Sequence, residues 1–334
     1  MYVIRARNVT EALYEGLDLL RAGGHRRASR NGPVWKMDAP VTTCYLEPRE
    51  RVVTWGARDA NPFFHLYESL WMLAGRREVG SLKWYVKRMQ EFSDDGLILH
   101  GAYGWRWRYH FGSDQLEKII SILSSNPDDR RCVLGMWDPQ DLGADRLDVP
   151  CNLLAKFSIS RHGRLDMTVF CRSNDIVWGA YGANAVHFSM LQEYMAAGIG
   201  CEVGRYWQVS DDWHGYERTV EPLFLAIREP DPYAEAPARL WRPLVENFRL
   251  WNHDLRLFMA GVAQSPTAAM FEEYQEPFFH SVAAPMHAAY ALHRAGKTES
   301  ALKCTELVAA SDWARAAREW LSRRDKREHA VHPA

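Results

Sequence analysis

Long apolar runs are absent from this sequence. No apolar stretch approaches about 18 residues, the shortest length that spans a bilayer as a helix. The N-terminal segment MYVIRARNVTEALYEGLDLL also lacks a basic stretch followed by an uninterrupted apolar one, as a secretory leader would have. We therefore expect a cytoplasmic protein with no membrane partner.

Excess positive charge and paired cysteines are absent as well. The formal net charge is -1, whereas a general nucleic-acid binder needs a basic face to displace counterions. The six cysteines form no Cys-x-x-Cys pair and match no histidine spacing typical of zinc. We expect no nucleic-acid partner, no metal and reduced thiols, most of them small core residues, although arginine clusters could still hold one small phosphate.

What is present is the composition of an ordinary globular protein. The 334 residues are 47% hydrophobic and 25% charged, enough to bury a large core in one α/β domain or in a domain with an appendage. After about residue 230, Pro, Ala and charged residues dominate and helical spacing replaces alternation. We predict a catalytic domain over residues 1–230 and a mostly helical extension over 231–334, packed on it.

Local signals predict the main elements of an α/β (α+β) fold. Asn8 with Glu11 resembles a capping box, and Asn61 with Pro62 begins a second helix. The alternation over 153–172 around Arg161-His162-Gly163-Arg164 predicts an antiparallel hairpin. Further predictions are strands at 41–54 and 132–137, and helices at 114–124, 185–197 (ending at Gly198), 284–294, 299–310 and 312–324.

Cys151 is the first candidate for chemistry. It follows Pro150 at the start of the hairpin, and arginine-bearing segments at 130–131 and 172–173 lie on either side of it in sequence. Cationic neighbours lower the pKa of a thiol and so favour the nucleophilic thiolate. From spacing alone, a buried structural cysteine beside surface charges is the stronger interpretation.

A series of motifs changes that balance. In order they are SRNGPV (29–34), YESLWMLAG (67–75), HGAYGWRWR (100–108), PDDRRCVLGMWDP (127–139), VPCN (149–152), CRSNDIVWGAYGANAVHFSML (171–191) and EVGRYWQVSDDWHGY (202–216). Their order and spacing resemble those of thymidylate synthases over roughly residues 25 to 225. The resemblance implies a large mixed sheet with surrounding helices, and 5,10-methylenetetrahydrofolate as cosubstrate.

The resemblance also implies roles for twelve residues. Cys151 matches the nucleophile that adds to C6 of a pyrimidine nucleoside 5'-monophosphate, and Asn184 the residue that reads the base edge. The remaining matches are Glu68 for proton transfer through water, Tyr103 near the nucleophile, Arg30, Arg172 and Ser173 for the phosphate, Arg130 and Arg131 for a phosphate contact made across a homodimer interface, His214 and Tyr216 for the sugar 3'-hydroxyl, and Asp175 for the folate.

Several of these residues have a simpler explanation. Asp175 could cap a helix, Arg30 could be a solvated charge, and Glu68 could lie on the surface of its helix. His214 and Tyr216 could be polar loop residues, although their spacing would place both on one face of a strand. For Glu68, the apolar flanks favour burial and therefore function.

Four features depart from thymidylate synthases. Asn152 replaces the histidine after the nucleophile, and Cys171 replaces the glutamine before Arg-Ser. The loop over 87–104 has no tryptophan, and the C-terminal segment that closes over the folate has no counterpart. These losses bear on the step in which the family transfers hydride and must exclude water.

A more open pocket would admit water, which turns the product into a 5-hydroxymethyl nucleotide. The run RSNDIVWGAYGAN is also more similar to the deoxycytidylate and cytidylate hydroxymethylase branch of the superfamily. Because an amide can rotate, Asn184 is compatible with cytosine, and the sequence favours CMP or dCMP. A thymidylate synthase or dUMP hydroxymethylase, and an inactive nucleotide-binding homologue, are the alternatives.

Overall fold

The computed structural model describes residues 1–235, 240–264 and 273–331. Eight strands of this part form one mixed sheet, in the order β1-β4-β8-β7-β6-β5, with β3 also paired to β8 and β2 to β3. Their bounds are β1 Tyr2–Ala6, β2 His25–Arg27, β3 Val34–Lys36, β4 Val41–Tyr45, β5 Val133–Gly135, β6 Asn152–Ile159, β7 Arg164–Asp175 and β8 Glu202–Tyr216. The predicted fold class is thus confirmed.

The helices surround this sheet. They are α1 Val9–Gly23, α2 Pro62–Leu73, α3 Val79–Tyr85, α4 Tyr103–Trp105, α5 Gln115–Ser125, α6 Asn184–Ile199, α7 Glu217–Leu225, α8 Pro232–Glu235, α9 Phe248–Gln264, α10 Ala284–Arg294, α11 Thr298–Cys304 and α12 Ser311–Val331. Shorter turns occur at Gly56–Arg58, Lys87–Phe92, Pro139–Asp141 and Thr305–Leu307, and wide π-type turns at Arg106–His110, Ile176–Ala183 and Phe279–Ala283. No helix in the described part of the chain is long and apolar enough to cross a membrane.

The hairpin of β6 and β7 has the predicted antiparallel pairing. Phe157 pairs with Met167 and Ala155 with Val169, and all four side chains are buried on one face of the sheet. Strand β7 then runs parallel to β8, which brings Ser173 opposite Asp212 and Asp175 opposite His214. The carboxyl ends of two long strands therefore meet at one edge.

The predicted helix starts are confirmed by side-chain caps. Asn61 Oδ1 accepts from Phe64 N at 3.1 Å, and Asn8 Oδ1 accepts from Thr10 N at 3.0 Å and Glu11 N at 3.1 Å. The capping box at Asn8 is incomplete, because the Glu11 carboxylate bonds instead to the backbone of Arg7.

Four predicted boundaries were wrong, among them the helix predicted over 299–310, which ends at Cys304 and is followed by a short turn. The strand predicted over 41–54 ends at Tyr45, soon before Pro48, which has no N–H to donate to a ladder. The strand predicted over 132–137 is only Val133–Gly135. Helix α6 continues through Gly198, which allows close packing against Ile120 and Phe248, and ends at Ile199, where Gly200 caps it with φ +85°.

The C-terminal helices pack on the α2 side of the molecule through aromatic rings. Phe63 of α2 lies 5.5 Å from Trp320 and 5.3 Å from Tyr290, measured between ring centroids. Tyr290 also stacks on Tyr85 of α3 at 4.7 Å. The predicted helical extension is present, whereas a domain division at residue 230 stays a prediction.

A fully buried ion pair holds the loop that precedes the cysteine. Arg106 is 0% exposed, and its Nη1 and Nη2 donate to the two carboxylate oxygens of Asp141 at 2.6 and 2.9 Å. Asp141 also accepts from His100 at 3.0 Å. Burial alone would raise the pKa of Asp141, but Arg106, the backbone N–H of Asp138 and His100 lower it to about 2.

Asp141→Asn should lower the free energy of unfolding by about 3 kcal/mol at pH 7, because it leaves the Arg106 charge buried without its partner. The pKa of Asp141 is depressed in the folded state, so its contribution is present above about pH 4 and is lost as the pH falls toward 2. Urea unfolding at pH 7 and pH 3 should show a smaller difference between wild type and variant at pH 3. Glu299→Gln, which removes an exposed ion pair to Lys303, is the control and should change stability little.

Candidate active site

Cys151 lies immediately before β6 and is half-buried. The hydroxyl of Tyr103 accepts hydrogen bonds from the backbone N–H groups of Cys151 at 3.1 Å and Asn152 at 3.2 Å. Burial raises the pKa of Tyr103, so its hydroxyl keeps a proton to donate. Tyr103 thus fixes the backbone that carries the thiol. It lies near Cys151, where the sequence motif placed it.

Arg172 holds the other side of this turn. Its Nε donates to Pro150 O at 2.8 Å and its Nη2 to Val149 O at 3.1 Å. Burial raises the pKa of the Cys151 thiol; Arg172 and Arg30 lower it, and Asp148 raises it further. The expected cationic neighbours are therefore present, but burial outweighs them, and the pKa of the thiol lies above its usual value.

A cationic cavity of about 310 Å³ opens beside this turn. The hairpin of β2 and β3 brings Arg30 into its wall, since β3 pairs with the end of β8 through Lys36 and His214. Its polar lining includes Arg27, Arg30, Lys36, Ser173, His214, Tyr216 and one acid, Asp212, which pairs with Lys36 at 2.6 Å. Four of these were predicted. Sequence reasoning missed Arg27 and Lys36, which the hairpin register alone brings to the cavity.

Asp175 performs the helix-capping role that was considered for it. Its Oδ1 accepts from Val177 N at 2.9 Å and Trp178 N at 2.5 Å, and its Oδ2 accepts from Tyr216 N at 3.3 Å. Burial raises its pKa, although these N–H groups and His214 oppose the shift. Asp175 thereby ties the Ile176–Ala183 turn to the end of β8.

Arg58 also holds the Ile176–Ala183 turn. This buried guanidinium donates to Val177 O at 2.6 and 3.1 Å and lies 5.1 Å from the ring of Trp178, which is 55% exposed. The neighbouring Asp59, with φ +47°, accepts from Arg323 and Arg324 of α12. The C-terminal helix thus braces the wall that presents an exposed tryptophan, a residue that the 87–104 loop lacks.

Asn184 belongs to a chain of buried amides. Its Oδ1 accepts from Asn152 Nδ2 at 3.2 Å, and its Nδ2 donates to Asn174 Oδ1 at 3.0 Å. The chain continues from Asn174 Nδ2 to Gln208 Oε1 at 2.6 Å. At its other end, the Cys171 thiol donates to Asn152 Oδ1 at 2.7 Å. The two replaced residues, Asn152 and Cys171, therefore contact each other and the base-reading candidate.

The Cys171 thiol determines which way the amide groups of this chain point. Burial raises the pKa of Cys171, so the thiol stays protonated, and sulfur is only a weak acceptor. If the Asn184 amide turned over, the Asn152 amide would have to turn over with it. The Cys171 sulfur would then have to accept a hydrogen bond instead of donating one. Losing that hydrogen bond costs on the order of 1 kcal/mol. The chain of hydrogen bonds therefore favours one orientation of the Asn184 amide.

Glu68 lies on α2 against α6, and its side chain is only 13% exposed. The surface position considered for it is excluded. Its Oε2 lies 3.0 Å from Nε2 of His187, a buried histidine that sequence reasoning missed. The sequence signal for His187 is its position three residues after Asn184, which places both residues on one face of the helix.

Arg130 and Arg131 do not join this group. Both are exposed, and Arg131 pairs with Asp129 at 2.5 Å. Among the described residues, no cluster of three or more His, Cys, Asp or Glu side chains could hold a metal. The site therefore consists of a thiol, a carboxylate, oriented amides and a cationic pocket.

Together, the mixed sheet and the cysteine site define an enzyme that transfers a one-carbon unit. The Thymidylate synthase family matches residues 52–252, and this chain belongs to that family. It is 50% identical over 339 residues to the Deoxyuridylate hydroxymethyltransferase of Pseudomonas phage M6, covering 97% of this chain and 95% of that protein. It is 37% identical over 228 residues to the protein of the same name from Bacillus phage SP01, covering 65% and 59%.

A more distant relative is the Putative thymidylate synthase of Methanothermobacter thermautotrophicus, 38% identical over 142 residues, which cover 40% of this chain and 61% of that protein. The two phage relatives are named for deoxyuridylate, and neither is named for a cytidine nucleotide. The predicted resemblance to the family is confirmed. The predicted placement in its deoxycytidylate and cytidylate branch is not supported.

Proposed function

We propose that this enzyme hydroxymethylates dUMP at C5, with 5,10-methylenetetrahydrofolate as the one-carbon donor. The observation that carries the proposal is the 50% identity, over 97% of this chain, to a protein named for deoxyuridylate hydroxymethylation; the candidate base reader is the Asn184 amide, which is bonded to Asn152 and Asn174. An amide in one fixed orientation can match uracil, which offers O4 and N3–H, or cytosine, which offers N4–H and N3, but not both. The names of the phage relatives favour uracil.

The reaction begins at Cys151. Its thiolate adds to C6, and the negative charge that reaches C5 and O4 makes C5 a nucleophile toward the methylene carbon of the folate. Loss of the C5 proton and of tetrahydrofolate leaves an exocyclic methylene on C5. The base is still bonded to Cys151 through C6. Water adds to this methylene, and expulsion of the Cys151 thiolate restores the C5–C6 double bond.

The cationic cavity is the proposed phosphate end of the substrate site. Arg27 and Arg30 supply positive charge, Lys36 is paired with Asp212 at 2.6 Å, and Ser173 supplies a hydroxyl donor. His214 and Tyr216 line the same cavity and are the proposed sugar contacts. Asp175 and the exposed Trp178 are the proposed folate contacts, since one offers a carboxylate and the other an aromatic face.

We propose a symmetric dimer that completes this phosphate site. Arg130 and Arg131 are exposed on one protomer and do not line its own cavity. A two-fold arrangement would allow each protomer to supply them to its partner. Arg130→Ala should then raise the KM for the nucleotide, and mixing it with an inactive Cys151→Ala protein should restore part of the activity through hybrid dimers.

Product analysis tests the proposed reaction. The enzyme is incubated with 5,10-methylenetetrahydrofolate and, separately, dUMP, dCMP, UMP and CMP, and the nucleotides are weighed by mass spectrometry. We expect dUMP to gain one CH₂O unit without formation of dihydrofolate. A methylated product with dihydrofolate would identify a thymidylate synthase, and a product from dCMP or CMP would overturn the choice of base. No product and no release of tritium from C5 would indicate a nucleotide-binding protein without activity.

A further inference from the structure

His187 is a buried, polar residue to which neither the sequence motifs nor the proposed steps assign a role. It lies on α6 and is 5% exposed. Its Nε2 is 3.0 Å from Oε2 of Glu68, yet it forms no hydrogen bond of good geometry within the described part of the chain. The carboxylate is close, but it lies off the axis along which this nitrogen donates or accepts.

A purely structural histidine would be expected to satisfy its ring nitrogen. A buried polar atom without a hydrogen bond costs about 1–3 kcal/mol, and such atoms are uncommon in folded proteins. The adjacent buried histidine, His65, has a pKa well below its usual value because of burial, Arg58 and His187. His65 therefore stays neutral.

Helix α6 connects His187 to the reacting part of the site. Asn184 begins this helix, and its side chain reaches Asn152, the residue after Cys151. His187 is three residues further along and lies on the same helix face. The base-reading candidate, His187 and Glu68 therefore follow one another from the nucleophile toward α2.

We propose that His187 is a further catalytic residue which, together with Glu68, binds the water that attacks the exocyclic methylene and takes up its proton. This inference rests on the proposed hydroxymethylation. The water oxygen forms a bond to the methylene carbon, and the electron pair of the C5–methylene double bond moves onto C5 and O4. One water proton passes to the His187–Glu68 pair, and the Cys151 thiolate then leaves C6. No oxidant or reductant is needed.

Two substitutions separate proton uptake from positioning. In His187→Gln, a side-chain nitrogen can approach the place of Nε2 but cannot accept a proton, and in His187→Asn no nitrogen reaches it. Ser189→Ala is the matched control, because Ser189 is buried on the same helix and, among the described residues, its hydroxyl bonds only to Val186 O at 2.9 Å. Each protein is assayed for 5-hydroxymethyl product and for tritium release from C5-labelled dUMP, with a small thiol added to trap the methylene.

We expect both His187 variants to form product about 10²-fold more slowly, the usual loss when a general base is removed. Tritium release should persist, and more thiol-trapped nucleotide should form, because the methylene is made but water is not activated. An equal decrease of tritium release and product would overturn the proposal, and so would full activity of His187→Gln. If wild type itself releases no tritium, the proposed function fails instead, so the two failures are distinct.

Discussion

Cys151→Ala should reduce turnover of dUMP roughly 10⁴-fold or more, since it removes the thiol that forms the bond to C6 and so makes C5 reactive. In the described structure, Cys151 is the cysteine whose backbone is fixed by Tyr103 and whose preceding turn is held by Arg172. Tritium release from C5 should disappear together with product. Both losses follow because each step depends on the same covalent adduct.

Nucleotide binding should survive in Cys151→Ala, because the cationic cavity of Arg30 and its neighbours is unchanged. Isothermal titration calorimetry with dUMP would measure this. Cys201→Ala is the matched control: Cys201 is also partly exposed, precedes β8 at its opposite end from His214, and should be replaceable without loss of activity. Turnover retained in Cys151→Ala would remove the nucleophile from the proposed reaction.

The elements that sequence predicted well are those determined by neighbouring residues. Asn61 with Pro62 begins α2 through a single side-chain cap, and the alternation around Gly163 determines a hairpin register. Strand ends were predicted less well. The strand that begins at Val41 ends at Tyr45 even though residues such as Val52 and Val53 are buried, because burial there comes from distant packing rather than from a ladder.

The site shows the same division between local and distant signals. Motifs identified Cys151, Glu68 and His214, but the roles of Arg58 and His187 depend on contacts between elements far apart in sequence. Asn152 and Cys171 were noticed as separate departures, although the hairpin register pairs them directly. Counting outward from the turn would have paired Asn152 with Arg172, because a bulge between Asn152 and Leu154 shifts the register by one residue, so the contact that orients Asn184 could not be predicted from the sequence.

Asn184→Asp should lower the kcat/KM for dUMP by about 10³-fold or more, the scale on which a site built to hydrogen-bond one group rejects its mismatch. A carboxylate only accepts, so it would repel O4 of uracil while accepting from N4–H of cytosine. The ratio of kcat/KM for dCMP to that for dUMP should therefore rise. Asn126→Asp, at the exposed end of α5, controls for the added charge.

The amide chain also predicts how the carboxylate introduced by Asn184→Asp would be accommodated. Asn152 can still donate to one carboxylate oxygen, but the other would face Asn174 Oδ1, an unfavourable contact between two acceptors. Rotation of Asn174 and then Gln208 relieves it, since the rotation ends at the hydroxyls of Ser210 and Tyr206, which can donate as well as accept. The variant should therefore fold with a modest loss of stability in urea. Activity on dUMP within about tenfold of wild type would show that Asn184 does not read the base.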